Sequence, residues 1–329
     1  MRNIIFSILG LIWFGAVPLD AEPSINPDSS QLFQFRFSLN HPLVYAVEIK
    51  NTDTSDVQAG QRTSMTRGTS DFRYKIKLTG TKTNQDGTTT VNFVPFDFES
   101  DSQTQSPNGE IENITRGLDI VTKHNGIVVV DTAKKIGGSQ MQTMKQSIYP
   151  FLLSGYFDFD PTGHIKKIDG DLPFIETWEN NLKYGMGLFY IEFPKRPLSI
   201  QESWTNNITK DIEGGMTLSD AIVQPWVFTR QPDQFATNGQ ATCFALYESD
   251  YEKDLGGFID QQGQRNNVIF PEINESVHAT YEFDQKRGLL LSMKLSNSKQ
   301  SDLKTVYQGN SSTGHYDNRK DLTIKLISQ

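Results

Sequence analysis

Three groups of side chains in this sequence have the types and spacing for chemistry. Asp158 and Asp160 stand two apart in Gly155-Tyr-Phe-Asp-Phe-Asp160, so on a strand they share a face. Paired carboxylates can split their pKa values and divide acid and base work between them. They also lead into Pro161-Thr-Gly163, and Asp before a turn favours bonds to its own backbone. The turn role is the expectation for both. Asp250, Glu252 and Asp254 alternate and offer oxygens of the kind calcium takes. No Gly-spaced calcium loop surrounds them, and a solvated acidic strand end is the expectation. Cys243 lies in the strand-like run Gln240 to Tyr247 with no basic or His neighbour in sequence to activate it. It reads as a buried, inert thiol.

The histidines at 41, 124, 164, 278 and 315 form no i,i+2 or i,i+4 pair. No metal site is therefore expected. The chain has no Gly-x-Ser-x-Gly elbow, no phosphate-binding Gly-x-x-x-x-Gly-Lys loop and no Gly-x-Gly-x-x-Gly turn. No catalytic residue and no cofactor are assigned, and the chain reads as non-enzymatic.

One apolar group remains. Asp171 is a good helix N-cap and Pro173 is tolerated in a first turn. Phe174, Trp178 and Leu182 then follow at i, i+4 and i+8, on one face of a helix that runs to Gly185 or Gly187. Either that face is ordinary core or it lines a pocket. Phe174, Trp178 and Leu182 are the candidate ligand-binding residues.

The elements that must position these groups are mainly strands. Leu43 to Ile49 is rich in β-formers. Phe72, Tyr74, Ile76 and Leu78 alternate with Arg73, Lys75, Lys77 and Thr79, the period of a sheet with one wet face. Asp86-Gly87 turns the chain into Thr88 to Val94, and Pro95 predicts a kink or bulge beyond it. Asp101 to Pro107 is polar and reads as a loop. Ile127 to Val130 is a short buried strand after a turn at Asn125-Gly126, and Ser139 to Leu152 reads as a helix with Met141, Met144 and Ile148 on one side. Further strands are predicted at 155–160, 164–168, 242–247, 277–283 and 289–295, with an edge strand at 323–327. Phe157-Asp-Phe-Asp160 before Gly163 parallels Tyr281-Glu-Phe-Asp284 before Gly288, which suggests two similar halves.

Length and charge bound the rest. The chain has 329 residues and a formal charge of −8, from 31 Lys+Arg against 39 Asp+Glu. That balance offers no basic excess for phosphates, so no nucleic-acid partner is expected. A single Cys excludes a disulfide scaffold. Arg2, the apolar run Ile4 to Val17, Pro18 and Ala21 read as a secretory signal cleaved before Glu22. The run is shorter than the about 20 residues of a membrane helix, so no span is expected after cleavage. The expected address is periplasmic or extracellular. The predicted organisation is a signal peptide at 1–21, an N-terminal β half at 22–192 with a helix near 171–185, and a C-terminal β half at 193–329. The two halves can equally be one continuous domain.

Phe193-Pro-Lys-Arg-Pro-Leu-Ser-Ile-Gln-Glu-Ser-Trp204 resembles a Pro, Pro, turn, Gly-Asp/Glu-Ser-Trp phrase of exported bacterial β-rich proteins of unassigned function. The hairpin from Gly155 to Gly170 resembles one placed upstream of it in the same proteins. Gln201 stands where a Gly is usual. More loosely, the Phe-Asp…Gly hairpins resemble those of outer-membrane lipoprotein carriers and related lipid-transfer proteins. That likeness implies a curved antiparallel sheet or half-open barrel, with one or two helices packed on its concave face. The fold class is thus mainly β, a β-rich α+β chain. Two functions follow as expectations: a non-catalytic protein holding an apolar or lipid-like ligand, or a structural or interaction module of the cell envelope.

Overall fold

The computed structural model describes residues 30–148, 152–170, 191–210, 222–232, 240–259, 265–307 and 310–329. The predicted helix at 171–185, with Phe174, Trp178 and Leu182, lies outside the described residues, as does the signal segment.

The elements run in order β1 (Pro42–Ala59), β2 (Arg62–Thr83), β3 (Thr89–Ser106), β4 (Gly109–Arg116), β5 (Asp119–His124) and β6 (Ile127–Asp131). The helix α1 (Gln140–Ile148) follows, then β7 (Gly155–Phe159), β8 (Ile165–Gly170), β9 (Ser203–Lys210) and β10 (Ile222–Arg230). The last four strands are β11 (Gln240–Ile259), β12 (Arg265–Asp284), β13 (Leu289–Tyr307) and β14 (Asn310–Ser328). All the strands join one antiparallel sheet that does not close. Its order is β6-β5-β4-β3-β2-β1-β14-β13-β12-β11-β10-β9, and the β7–β8 hairpin is attached to the first half of β3. The protein is therefore mainly β. Strands from both sides of residue 193 share the sheet, with β1 and β14 forming its middle seam.

The pleat sorts each strand into an inner and an outer face. On the inner face, Tyr74, Val47, Ile324, Met293 and Tyr281 stand directly opposite one another on successive strands and are all buried. On the outer face, Glu48, Arg73, Glu99, Arg116 and Asp119 make a row of alternating sign. Opposite charges placed side by side on neighbouring strands favour this register over a slipped one.

The apolar inner face occupies only part of each long strand. Beyond Ile49 the chain turns polar, and none of residues 50–71, 101–114, 296–302 and 315–321 is buried. In β1 this polar extension is ten residues long, about 33 Å at strand rise. The run at 101–107, expected as a loop, is the end of β3 as far as Ser106, with 101–105 paired to β2 and 101–106 to β4. Its lack of apolar alternation reflects a sheet covered on neither face there. The strand at 323–327, expected at an edge, sits mid-sheet between β1 and β13. The irregularity expected after Pro95 is present: the β2–β3 register shifts between Arg73 and Lys75, and Asp97 has φ +54°.

Among the described residues the inner face is covered by a strap, a hairpin and connecting segments. Residues 31–37 cross it as a strap that carries Phe33 and Phe35 into the core. The β7–β8 hairpin adds Phe157 and Phe159, and residues 191–198 add Ile191, Phe193 and Leu198. The helix predicted at 139–152 is α1. It buries Ile148 and rests Met144 on the core, where Thr122 Oγ1 lies 3.5 Å from the Met144 sulfur.

Candidate functional site

The strap is held from both sides by two turns of the same design. At the first, Thr162 donates its backbone N–H (2.7 Å) and its hydroxyl (2.8 Å) to Asp160 Oδ1. Burial pushes the Asp160 carboxyl up, but these two donors outweigh it and hold the group below its ordinary value. At the second, Arg287 donates its backbone N–H to Asp284 Oδ1 (2.9 Å) and its Nε to Asp284 Oδ2 (2.6 Å). Asp284 is likewise pushed up by burial and held below its ordinary value by Arg287.

Each turn closes on a glycine with positive φ, +109° at Gly163 and +70° at Gly288. A side chain has no room at either. A Cβ at Gly163 would lie 2.5 Å from Ile191 O and 2.9 Å from the Phe35 ring; one at Gly288 would lie 2.6 Å from Gln34 O. The strap bonds both turns: Phe35 N–H donates to Pro161 O (2.7 Å) and Arg36 N–H to Gly288 O (2.9 Å). The parallel between Phe157–Gly163 and Tyr281–Gly288 is thus a pair of clamps on one segment.

Asp160 takes the turn role expected of it, whereas Asp158 bonds the neighbouring β2–β3 hairpin instead of its own turn. Asp158 Oδ1 accepts from Thr90 Oγ1 (2.6 Å) and Asn84 Nδ2 (3.3 Å). The histidines stay apart: His164 Nδ1 meets Glu192 Oε1 at 2.8 Å, and His315 Nδ1 meets Asp302 Oδ1 at 2.8 Å on another part of the sheet. Among the described residues, no group of three or more His, Cys, Asp and Glu could hold a metal ion. Asp250, Glu252, Asp254 and Cys243 all lie on β11, whose side chains are outside those described. By register, the backbone of Cys243 stands opposite Tyr281 on one side and Arg230 on the other.

Arg230 is the residue that sequence reasoning missed. It is fully buried at the end of β10, in phase with Trp226 and Phe228 on the inner face. Its Nη1 donates to Leu198 O at 2.6 Å, and its guanidinium lies 5.4 Å from the centre of the Phe33 ring. It therefore ties the strap to the Pro197–Glu202 corner. In that corner Gln201 has φ +65°, a left-handed conformation that glycine adopts most easily. Glu202 caps the corner by accepting from Ser199 N–H at 2.7 Å, and it also contacts Arg196. These contacts, the Ser199 bond first, hold its carboxyl below the ordinary range.

The apolar floor ends at a sharp polar row. Thr122, Asn113, Ser102, Ser70 and Asn51 stand opposite one another on β5, β4, β3, β2 and β1. Thr122 Oγ1 donates to Asn113 Oδ1 (2.8 Å), Asn113 Nδ2 to Ser102 Oγ (3.3 Å) and Asn51 Nδ2 to Ser70 Oγ (3.2 Å). An amphipathic molecule lying on this face would find hydrocarbon on one side of that line and hydroxyls and amides on the other.

No family model matches the chain, and no curated protein matches it. Among the described residues no helix is long and apolar enough to cross a membrane. Among solved structures, one of lipovitellin, described for its lipid–protein interactions, is similar with a TM-score of 0.48 and 13% identity over 89% of this chain. This chain spans 26% of the lipovitellin chain. The translocator domain of the autotransporter NalP from Neisseria meningitidis is similar at a TM-score of 0.16 and 7% identity, over 85% of this chain and 88% of that one. The chain thus has a distant structural likeness to a lipid-associated sheet protein, and likenesses at these scores assign it neither a family nor a ligand.

Proposed function

We propose that this protein is an exported, non-catalytic binding protein that holds an apolar or lipid-like ligand against the inner face of its sheet. The observation that carries the reading is how that face is covered. It runs across successive strands as a continuous apolar floor bounded by a row of hydroxyls and amides. Among the described residues its cover is a strap, a hairpin and connecting segments. Segments fixed at a few backbone bonds can yield to a ligand more easily than a paired sheet can. Export to the periplasm or the extracellular space rests on Arg2, the Ile4–Val17 run and Ala21.

The test is mass spectrometry, under native conditions, of protein purified from its own host. A copurified lipid, or saturable binding of a fluorescent fatty acid, is the expected result. A chain that carries no lipid and binds no fatty-acid probe overturns the reading. N-terminal sequencing of the same sample should start near Glu22; an intact Met1 overturns export.

The alternative, an interaction module of the cell envelope, is favoured by a different observation. The terminal strand β6 leaves Ile127, Val128 and Val129 exposed, Ile127 at 71%. Exposed β-branched residues on an edge strand suit strand addition by a partner.

A further inference from the structure

The sheet ends, at β6, in a corner where apolar side chains stand in water. Asn125 and Gly126, with φ of +51° and +78°, form the two-residue turn of the β5–β6 hairpin. Directly after it Ile127, Val128 and Val129 are all exposed. The β5–β6 register shifts so that Val129 is an extra residue, a bulge in the edge strand. The chain then folds back along β6. Asp131 N–H donates to Ile136 O (3.1 Å) and Ile136 N–H to Asp131 O (2.9 Å). Gly137 keeps the return close: a Cβ there would lie 2.9 Å from the Val130 side chain. Ala133, Lys134, Lys135 and Ile136 are exposed on this return. One corner of the fold thus carries Ile127, Val128, Val129 and Ile136 beside two lysines.

The charge of this corner is opposite to that of the chain. From the turn at Asn125 to the end of α1 at Ile148 stand Lys134, Lys135 and Lys145 against one carboxylate, Asp131, in a chain with a formal charge of −8. Asp131 is buried and turned inward. Its Oδ1 accepts from Lys134 N–H at 3.0 Å, and its Oδ2 lies 3.0 Å from Lys134 Nζ. On the strands behind, Glu112 is paired with Lys123 at 2.9 Å, and Glu110 is bonded by Gln103. Lys135 and Lys145 are the surplus. A partner strand would meet the bulge at Val129 and the Asp131–Ile136 bridge, features that limit how far it could pair. The side chains are open all the same. Aliphatic residues at a tip with lysines beside them suit an anionic lipid surface, where the aliphatic groups enter the interface and the cations stay among the headgroups. The net acidic remainder of the chain is repelled by the same headgroups, which makes this corner the favoured point of approach.

We propose that the β6 corner docks this protein on an anionic lipid surface, with Ile127 and its aliphatic neighbours in the interface and Lys134 and Lys135 among the headgroups. The site is separate from the apolar floor and does not depend on what the floor holds. The test is cosedimentation of protein purified from its own host with vesicles of phosphatidylcholine, and of phosphatidylcholine mixed with phosphatidylglycerol. The expected result is binding to the mixed vesicles, much weaker binding to phosphatidylcholine alone, and loss of binding as salt screens the charges. Lys135→Gln should weaken binding about fivefold, the share of one lysine near such a surface. Ile127→Asp should weaken it at least about tenfold, because it removes apolar area and adds a repelled charge. Lys294→Gln on β13 and Val227→Asp on β10, exposed positions on other strands, are the matched controls and should change little. All four positions are exposed, and an unchanged unfolding midpoint checks the fold. Fatty-acid binding should be the same in every variant, so failure here leaves the reading of the floor standing. No binding to the mixed vesicles, equal binding to both kinds, or edge variants that lose no more than the controls would each overturn the proposal. So would self-association or capture of a protein partner through Ile127 without any vesicle binding.

Discussion

Phe35 meets Phe283 edge-on, with ring centroids 5.0 Å apart and planes at 82°. It meets Phe159 in nearly the same way, at 5.1 Å and 85°. One ring of the strap is therefore wedged between the two matching hairpins of the sheet. Phe35→Ala would leave a cavity at the point where three segments converge, with a cost of about 3–5 kcal/mol. Denaturant unfolding measures it, and a loss below about 1 kcal/mol would show that the site collapses around the smaller side chain.

The clamp glycines should be intolerant of any side chain. Gly288→Ala meets Gln34 O and the Arg36 stem and also strains a positive φ. A loss of about 3 kcal/mol or more is expected, against about 1–2 kcal/mol for the open Gly87, where a Cβ would meet nothing within 4 Å and only the φ is strained. Comparing the two variants by thermal unfolding separates the close approach from the backbone strain common to both.

Gln201 offers the reverse experiment. Its left-handed conformation is one that glycine adopts without a steric penalty. Gln201→Gly should raise stability by about 0.5–1 kcal/mol, unless the side chain makes compensating contacts. A destabilised variant would show that it does.

Much of this arrangement is readable in the sequence. The alternation of Phe72 to Leu78, the Gly-closed hairpins and the helix at α1 all announce themselves, because each buries one face and leaves the other wet. Sequence reasoning missed the strap although a signal is present: Phe33, Phe35 and Phe37 alternate with Gln34 and Arg36, yet the segment pairs as no continuous strand. Arg230 could have been flagged by its phase with Trp226 and Phe228, but nothing in composition says that a cation will be buried at that step. The polar extensions, Lys50 to Ala59 among them, carry no such signal. With water on both faces, no side of the strand selects apolar residues, and only pairing with neighbours makes it a strand. The candidate stripe at Phe174, Trp178 and Leu182 lies outside the described residues, and the candidate site consists of the floor and the strap.

Two pH limbs are expected. His315 is raised above its ordinary value of 6.5, first by its bond to Asp302, then by nearby Asp317. A raised folded value means that its contribution is complete below about pH 6.5 and fades as pH rises through the folded value. Asp160 and Asp284 are held low, so their contributions are present above about pH 4 and fade as pH falls through the lowered values. His315→Gln should flatten only the neutral limb of a stability–pH curve, and Asp284→Ala only the acid limb. A shared response to both would point to a global charge effect instead.

The seam between β1 and β14 sets the order of events in folding. Val44 pairs near Ser328 and Ala59 with Ser312, so the middle of the sheet joins residues separated by nearly the whole chain. Such pairing carries a large loop-closure cost before it returns any contact, and folding dominated by it is slow. Until β14 arrives, β1 waits as an unpaired edge. Its outer stretch, Lys50-Asn-Thr-Asp-Thr-Ser-Asp56, is charged and polar on both sides, which keeps a waiting strand from pairing with the wrong neighbour. The residues that make that stretch hard to recognise as a strand are the ones that oppose mispairing while β1 is still an open edge.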